Sequence, residues 1–169
     1  MRQPRLTRAL SFAAACTALL VAAPSVAHAS ACLGVLPVAG EYSSGFGYRG
    51  RGFHPGVDIR APHGAPVTAA RAGRVIFAGR YFAYGLMVDV EHADGTVARY
   101  AHLSRTAPAL AAGTSVPANG PIGAVGRTGR TTGAHLHFEL RVDGRPVDAW
   151  PWLTRTACLD TRQMADASR

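Results

Sequence analysis

The sequence contains no lysine; all 18 of its Lys/Arg positions are arginine. That excludes a phosphate-gripping P-loop lysine and a Schiff-base lysine. No His-Glu-x-x-His segment is present either, so no helical pair of ligands brings its own glutamate base. Cysteine is limited to three residues, which leaves no cysteine-based structural zinc site. Beyond residue 29 no segment approaches the roughly 20 apolar residues of a membrane span. Sustained helical periodicity is missing as well, and the chain must be read as strands and turns.

The first 29 residues read as a removable leader. Arg2, Arg5 and Arg8 precede the apolar run 9–23, and Ala27-His28-Ala29 places small residues where a signal peptidase cuts, before Ser30. Cys32 follows Ala29-Ser30-Ala31, without the large aliphatic residue of a lipobox, so a lipid anchor is not expected. An exported chain keeping two cysteines is a candidate for one disulfide, Cys32–Cys158, with two buried thiols as the alternative. Closing so long a loop contributes about 4 kcal/mol in the chain-entropy picture. Loss of three arginines takes the net charge from +8 to +5. A moderately basic exported protein suits an anionic surface such as a cell wall, although charge governs association rather than fold. The expectation is one domain over 30–158, a polar tail at 159–169, a secreted monomer, and no nucleic-acid partner.

Apolar segments are short and separated by Gly and Pro: 66–69, 73–79, 86–91, 96–102, 122–125 and 134–142. Asp94-Gly95 predicts a hairpin between the third and fourth. The pattern predicts an all-β, mainly antiparallel fold, a small barrel or sandwich. Trp150 and Trp152 are expected to cap it.

Within the last segment, His135, His137 and Glu139 alternate with Leu136, Phe138 and Leu140. On a strand the first three share one face and the others face a core. Upstream, His54 and Asp58 flank Pro55-Gly56, which rules out a helix and requires a turn into a strand. His, Asp and a histidine from the later pair make a tripod for zinc that leaves a fourth position for water. His102 ends a third segment, in Tyr100-Ala101-His102-Leu103-Ser104. The Gly45-x-Gly47-x-x-Gly50 pattern is followed by no helix and is no dinucleotide site.

These blocks, in order, resemble the lysostaphin-type zinc metalloendopeptidases that cut peptidoglycan peptides. The likeness runs from about Pro37 to Leu153, through Ser43-Ser44-Gly45-Phe46-Gly47-Tyr48-Arg49, His54 to Ile59, Ala61-Pro62, Pro66-Val67 and Tyr100 to Ser104. It continues through Ile122-Gly123, Gly126, Thr128-Gly129, Thr132-Gly133 and His135 to Glu139. The resemblance implies an open groove holding one zinc ion on His54, Asp58 and His137, with His102 and His135 as the catalytic pair. Zinc there lowers the pKa of water toward about 7, which makes a glutamate base unnecessary. The substrates implied are peptidoglycan stem peptides or cross-bridges. A catalytically silent wall-binding or amidase-activating domain of the same fold is the alternative.

Arg49, Tyr84, Tyr100, Thr128 and Thr132 are candidates for the groove wall, the tyrosines and Arg49 having packing as their alternative. Glu139 either steadies a histidine from behind or is exposed at the strand's far end. His63 and His92 are expected to be solvated.

Overall fold

A computed structural model of the chain describes residues 36–50 and 52–154. The expected leader 1–29, the Cys32–Cys158 pair and the tail 159–169 lie outside the described residues. In chain order the strands are β1 (Glu41–Ser44), β2 (Gly47–Arg49), β3 (Gly52–His54), β4 (Val57–Arg60), β5 (Pro66–Thr68) and β6 (Gly73–Tyr81). They continue as β7 (Gly85–Glu91), β8 (Val97–Thr106), β9 (Ser115–Val116), β10 (Pro121–Val125), β11 (His135–Val142) and β12 (Arg145–Val147). A 3₁₀ turn, Phe82–Tyr84, joins β6 to β7, and the short helix α1 spans Trp150–Thr154.

Ten strands form one antiparallel sheet along the path β1-β4-β11-β8-β7-β6-β9. From it β10 branches to pair with β5 and β8, and β12 pairs with β11. The hairpin β2–β3 stands apart. The all-β, mainly antiparallel expectation holds, but the path ends at β1 and β9 without pairing them, so the sheet is not closed into a barrel. The Asp94-Gly95 turn joins β7 to β8 as predicted. Strands β1, β2, β3, β9 and β12 escape the periodicity reading because two to four residues give too few alternations to count.

β11 is central, with β4 on one side and β8 on the other. Its alternation sends Leu136, Phe138 and Leu140 into the core, where they join Val57, Ile59, Val88, Val90 and Leu103. Tyr100 is in that core, fully buried, its hydroxyl accepting the Ala70 N–H at 2.9 Å and its ring edge-on to Phe138. It is therefore not a groove residue. β8 carries it on the face opposite the site, where an aromatic that size contributes to packing.

His63 is exposed, but His92 is not: 3% of it is accessible. α1 lays Trp152 over the imidazole, and the same indole stacks on Phe138. His92 Nδ1 donates to the Ala72 carbonyl at 3.0 Å, while Nε2 is buried without a hydrogen-bond partner among the described residues. A bare ring nitrogen suits a neutral imidazole. Burial, the main cause, lowers the His92 pKa below 6.5, with Arg71 assisting and the Ala72 carbonyl and Asp94 opposing. The unfolded chain then binds the extra proton more readily than the folded one. The stabilisation is complete above about pH 6.5 and is lost as pH falls toward the depressed folded-state pKa. His92→Phe keeps the stack and removes the titration. Its unfolding free energy from urea titration should lie below wild type at pH 7, by about 1 kcal/mol for the lost hydrogen bond, and the gap should narrow between pH 6.5 and 5. A constant gap across that range would dismiss His92 as an acid-sensitive element.

Candidate active site

The pairing of β4 with β11 sets Asp58 directly opposite His137 and Arg60 opposite His135. Cross-strand partners on one face lie about 5 Å apart at Cβ, close enough for a carboxylate to meet an imidazole. Asp58 Oδ1 is 2.9 Å from His137 Nδ1. The turn at Pro55-Gly56 swings His54 back toward them, with Nε2 3.1 Å from both Asp58 Oδ1 and His137 Nδ1. Gly56 is needed at that crossing, since a Cβ there would be 2.3 Å from the Phe138 carbonyl and 3.0 Å from His137 Cε1.

The outward nitrogens of both rings are spoken for. His54 Nδ1 faces the Gly45 carbonyl at 2.6 Å, and His137 Nε2 faces Glu139 Oε1 at 3.2 Å. In neutral rings that donate in those directions the remaining lone pairs face Asp58, so that two imidazole nitrogens and a carboxylate oxygen converge. A cation satisfies that arrangement, and His-Asp-His is a donor set suited to zinc. These three residues are within reach of a common ion. Without one, burial disfavours a charged His137, yet the carboxylates of Asp58 and Glu139 outweigh it and raise its pKa. Burial pushes the Asp58 carboxyl up, but His137 and His54 overcome it and hold the group well below the usual carboxylate range.

Glu139 is fully buried rather than exposed at a strand end. Besides His137 it accepts the Tyr84 hydroxyl at 2.6 Å and is paired with Arg141, and Arg99 is 3.9 Å away. Arg99 is itself held by both oxygens of Asp89 and lies over the Tyr84 ring. Burial alone would raise the Glu139 pKa; His137, Tyr84 and Arg141 lower it, so the carboxylate stays ionised behind the histidine.

His102 reaches the cluster from β8 through a bulge. Opposite β7, Leu86 pairs with Leu103 and Val88 with Tyr100, so one β7 residue faces two of β8, Ala101 and His102. His102 takes φ +60°, a left-handed conformation that a bulge tolerates and that re-aims the side chain. Its Nδ1 donates to the Thr128 carbonyl at 2.8 Å, and its ring centroid is 4.8 Å from His135. Burial, reinforced by the two neighbouring histidines, brings the His102 pKa down to about 4. His135 Nδ1 contacts the Gly133 carbonyl at 3.0 Å and the Thr131 hydroxyl at 3.2 Å, and Nε2 is 3.6 Å from Asp58 Oδ1.

These side chains line a cleft of about 640 Å³, whose walls include Arg49, Tyr84 and Thr132 as expected from the sequence. Thr128 does not line it. Its hydroxyl accepts the Leu86 N–H and donates to the Leu103 carbonyl, tying the loop to β7 and β8 behind His102. Phe53, Ala83, Arg130 and Thr131 also form the walls and were not singled out from sequence. Gly126 to Gly133 had the composition of a groove wall, but composition does not say which residue points inward.

Residues 52–149 match the sequence profile of peptidase family M23. The chain belongs to this family. Over 112 residues the M23 domain is 44% identical to DD-carboxypeptidase/endopeptidase Mpg of Neisseria meningitidis serogroup B, 63% of this chain and 25% of that protein. Over 100 residues it is 38% identical to the murein hydrolase activator EnvC of Escherichia coli, 59% of this chain and 23% of that protein. Among solved structures, the catalytic domain of the antimicrobial peptidase lysostaphin from Staphylococcus simulans aligns with a TM-score of 0.62 at 31% identity, covering 68% of this chain and 92% of that one. A zinc-containing peptidase from Vibrio cholerae aligns at 0.65 and 34%, covering 70% and 39%. The lysostaphin-type resemblance of the M23 domain therefore holds, while the chain spans about a quarter of the curated relatives it matches. Among the described residues no helix is long and apolar enough to cross a membrane.

Proposed function

We propose that this chain is a secreted, zinc-dependent endopeptidase that hydrolyses peptide bonds of peptidoglycan, with His54, Asp58 and His137 as metal ligands and His102 and His135 as catalytic residues. The observation that carries the reading is the convergence of two imidazole nitrogens and one carboxylate oxygen, within reach of a common ion, beside two further imidazoles in one cleft. A bound zinc ion supplies Lewis-acid polarisation and an activated water near neutral pH. The rest is the work of the protein. Glu139 fixes the His137 tautomer by accepting from Nε2, and the Gly45 carbonyl does the same for His54. His102, kept neutral by burial and the neighbouring histidines, commits its Nδ1 proton to Thr128, so its lone pair lies on Nε2, where it takes a proton from the attacking water and returns it to the leaving amine. His135, whose Nδ1–H is directed at the Gly133 carbonyl, donates from Nε2 in its imidazolium form to the oxygen that gains charge.

Likeness to EnvC supports a second reading, an activator without turnover. The complete set of five side chains favours the enzyme. Purified peptidoglycan digested with and without a zinc chelator discriminates: soluble peptide fragments should appear, and the chelator should abolish them. Failure to release fragments from several wall types would leave the activator. A further expected outcome concerns Glu139→Gln, which keeps the side chain's shape and removes its charge. Zinc affinity, read by competition with a metallochromic dye, should fall about 10- to 100-fold. Unchanged affinity would show that Glu139 only packs.

A further inference from the structure

Resting on the peptidase reading, we infer that Arg130 is a specificity residue that selects substrates carrying a carboxylate beside the scissile bond, favouring acidic stem peptides over neutral bridges. Arg130 is exposed on the wall of the cleft. Its guanidinium has no hydrogen-bond or ion-pair partner among the described residues. Of the residues lining the cleft only Asp58 is acidic, and Asp58 is already engaged by His54 and His137. The second lining cation, Arg49, is committed: it donates to the Gly45 carbonyl at 2.6 Å and approaches Asp58 Oδ2 at 3.7 Å. Arg130 alone thus offers an unspent charge.

Its backbone is also fixed. The Arg130 N–H donates to the Ala83 carbonyl at 2.7 Å. Beside it, Gly129 at φ +75° and Gly85 at φ +66° pack backbone to backbone. A Cβ on Gly129 would lie 2.4 Å from Ala83 O, and one on Gly85 would lie 2.3 Å from the Thr128 carbonyl carbon. The loop is clamped to the 3₁₀ turn that carries Tyr84. The same clamp holds the Thr128 carbonyl against His102, so the loop that carries the cation also braces the proposed base on β8. A planar guanidinium carried on a backbone held this way pairs with a carboxylate through two parallel hydrogen bonds, which an amide cannot accept equally well. The adjoining Thr131 and Thr132 add no competing negative charge.

The test uses the purified protein with paired synthetic stem-peptide dimers, identical except that the carboxylates flanking the scissile bond are free or amidated, and an oligoglycine bridge peptide. The free-acid dimer should be cut with kcat/KM about tenfold above the amidated one, mostly through KM, and the oligoglycine should be the poorest substrate. Arg130→Gln should erase the difference between free and amidated dimers, while Arg130→Lys should keep part of it. Binding is measured separately by calorimetry on the His102→Asn protein, so that recognition is read without turnover. Preferential binding of the free acid with no cleavage of any peptide would sink the endopeptidase reading and leave the anion subsite standing. Equal binding of free and amidated peptides, undiminished preference in Arg130→Gln, or no binding of either would overturn the subsite.

Discussion

His102→Ala is expected to lower kcat about 10²- to 10⁴-fold, the usual contribution of a positioned acid/base group, while the protein keeps close to one zinc per chain. His54→Ala should lose the metal and the activity together. The difference follows from where the two imidazoles sit. His54 Nε2 is part of the triangle with Asp58 and His137, at 3.1 Å from each, whereas His102 approaches from β8 and donates to a loop carbonyl. Because His102 occupies a left-handed conformation, alanine inherits that backbone; asparagine adopts it more easily and serves as the second variant. Metal content by elemental analysis, set beside turnover, decides the matter. If both variants retained the same zinc, the division between ligand and base would be wrong.

Gly56→Ala should be strongly damaging although it removes no functional group. The new methyl would meet the Phe138 carbonyl oxygen at 2.3 Å, and behind it Glu139 Cγ and His137 Cε1 at 3.0 Å. Backbone on β11 cannot yield as a flexible side chain can, so β4 and β11 must separate where Asp58 faces His137. A loss of about 3 kcal/mol in unfolding free energy is expected, in the upper range for overpacking, together with weakened zinc binding. Gly133→Ala is the matched control: its Cβ would meet nothing within 4 Å, and stability should hardly change. A Gly56→Ala protein with wild-type stability and metal affinity would mean that the turn has more slack than these distances allow.

The contrast between these two glycines marks the limit of a linear reading. The period-two pattern of 135–140 was legible because eight consecutive strand residues leave little ambiguity about which face each occupies. Turn chemistry, equally local, gave Asp94-Gly95 as a turn. It failed for Tyr100 and His92. One is a tyrosine in a polar-looking block that burial turns into core, the other a histidine near an exposed turn that α1 covers from far along the chain. Burial by a distant segment leaves no mark on the neighbouring residues.

By itself, then, the sequence determined the strand character of the chain, the absence of lysine and zincin chemistry, and the set of histidines and acids available to a site. It could do so because those properties are local: composition, alternation and turn chemistry act over a few residues. Tertiary structure alone decided that Asp58 opposes His137, that a bulge turns His102 inward, that Glu139 is sealed behind His137, and that the Arg130 guanidinium has no partner among the described residues. Each depends on strand register and on contacts between residues tens of positions apart. Pairing geometry and the expulsion of water fix those relations only once the sheet has formed.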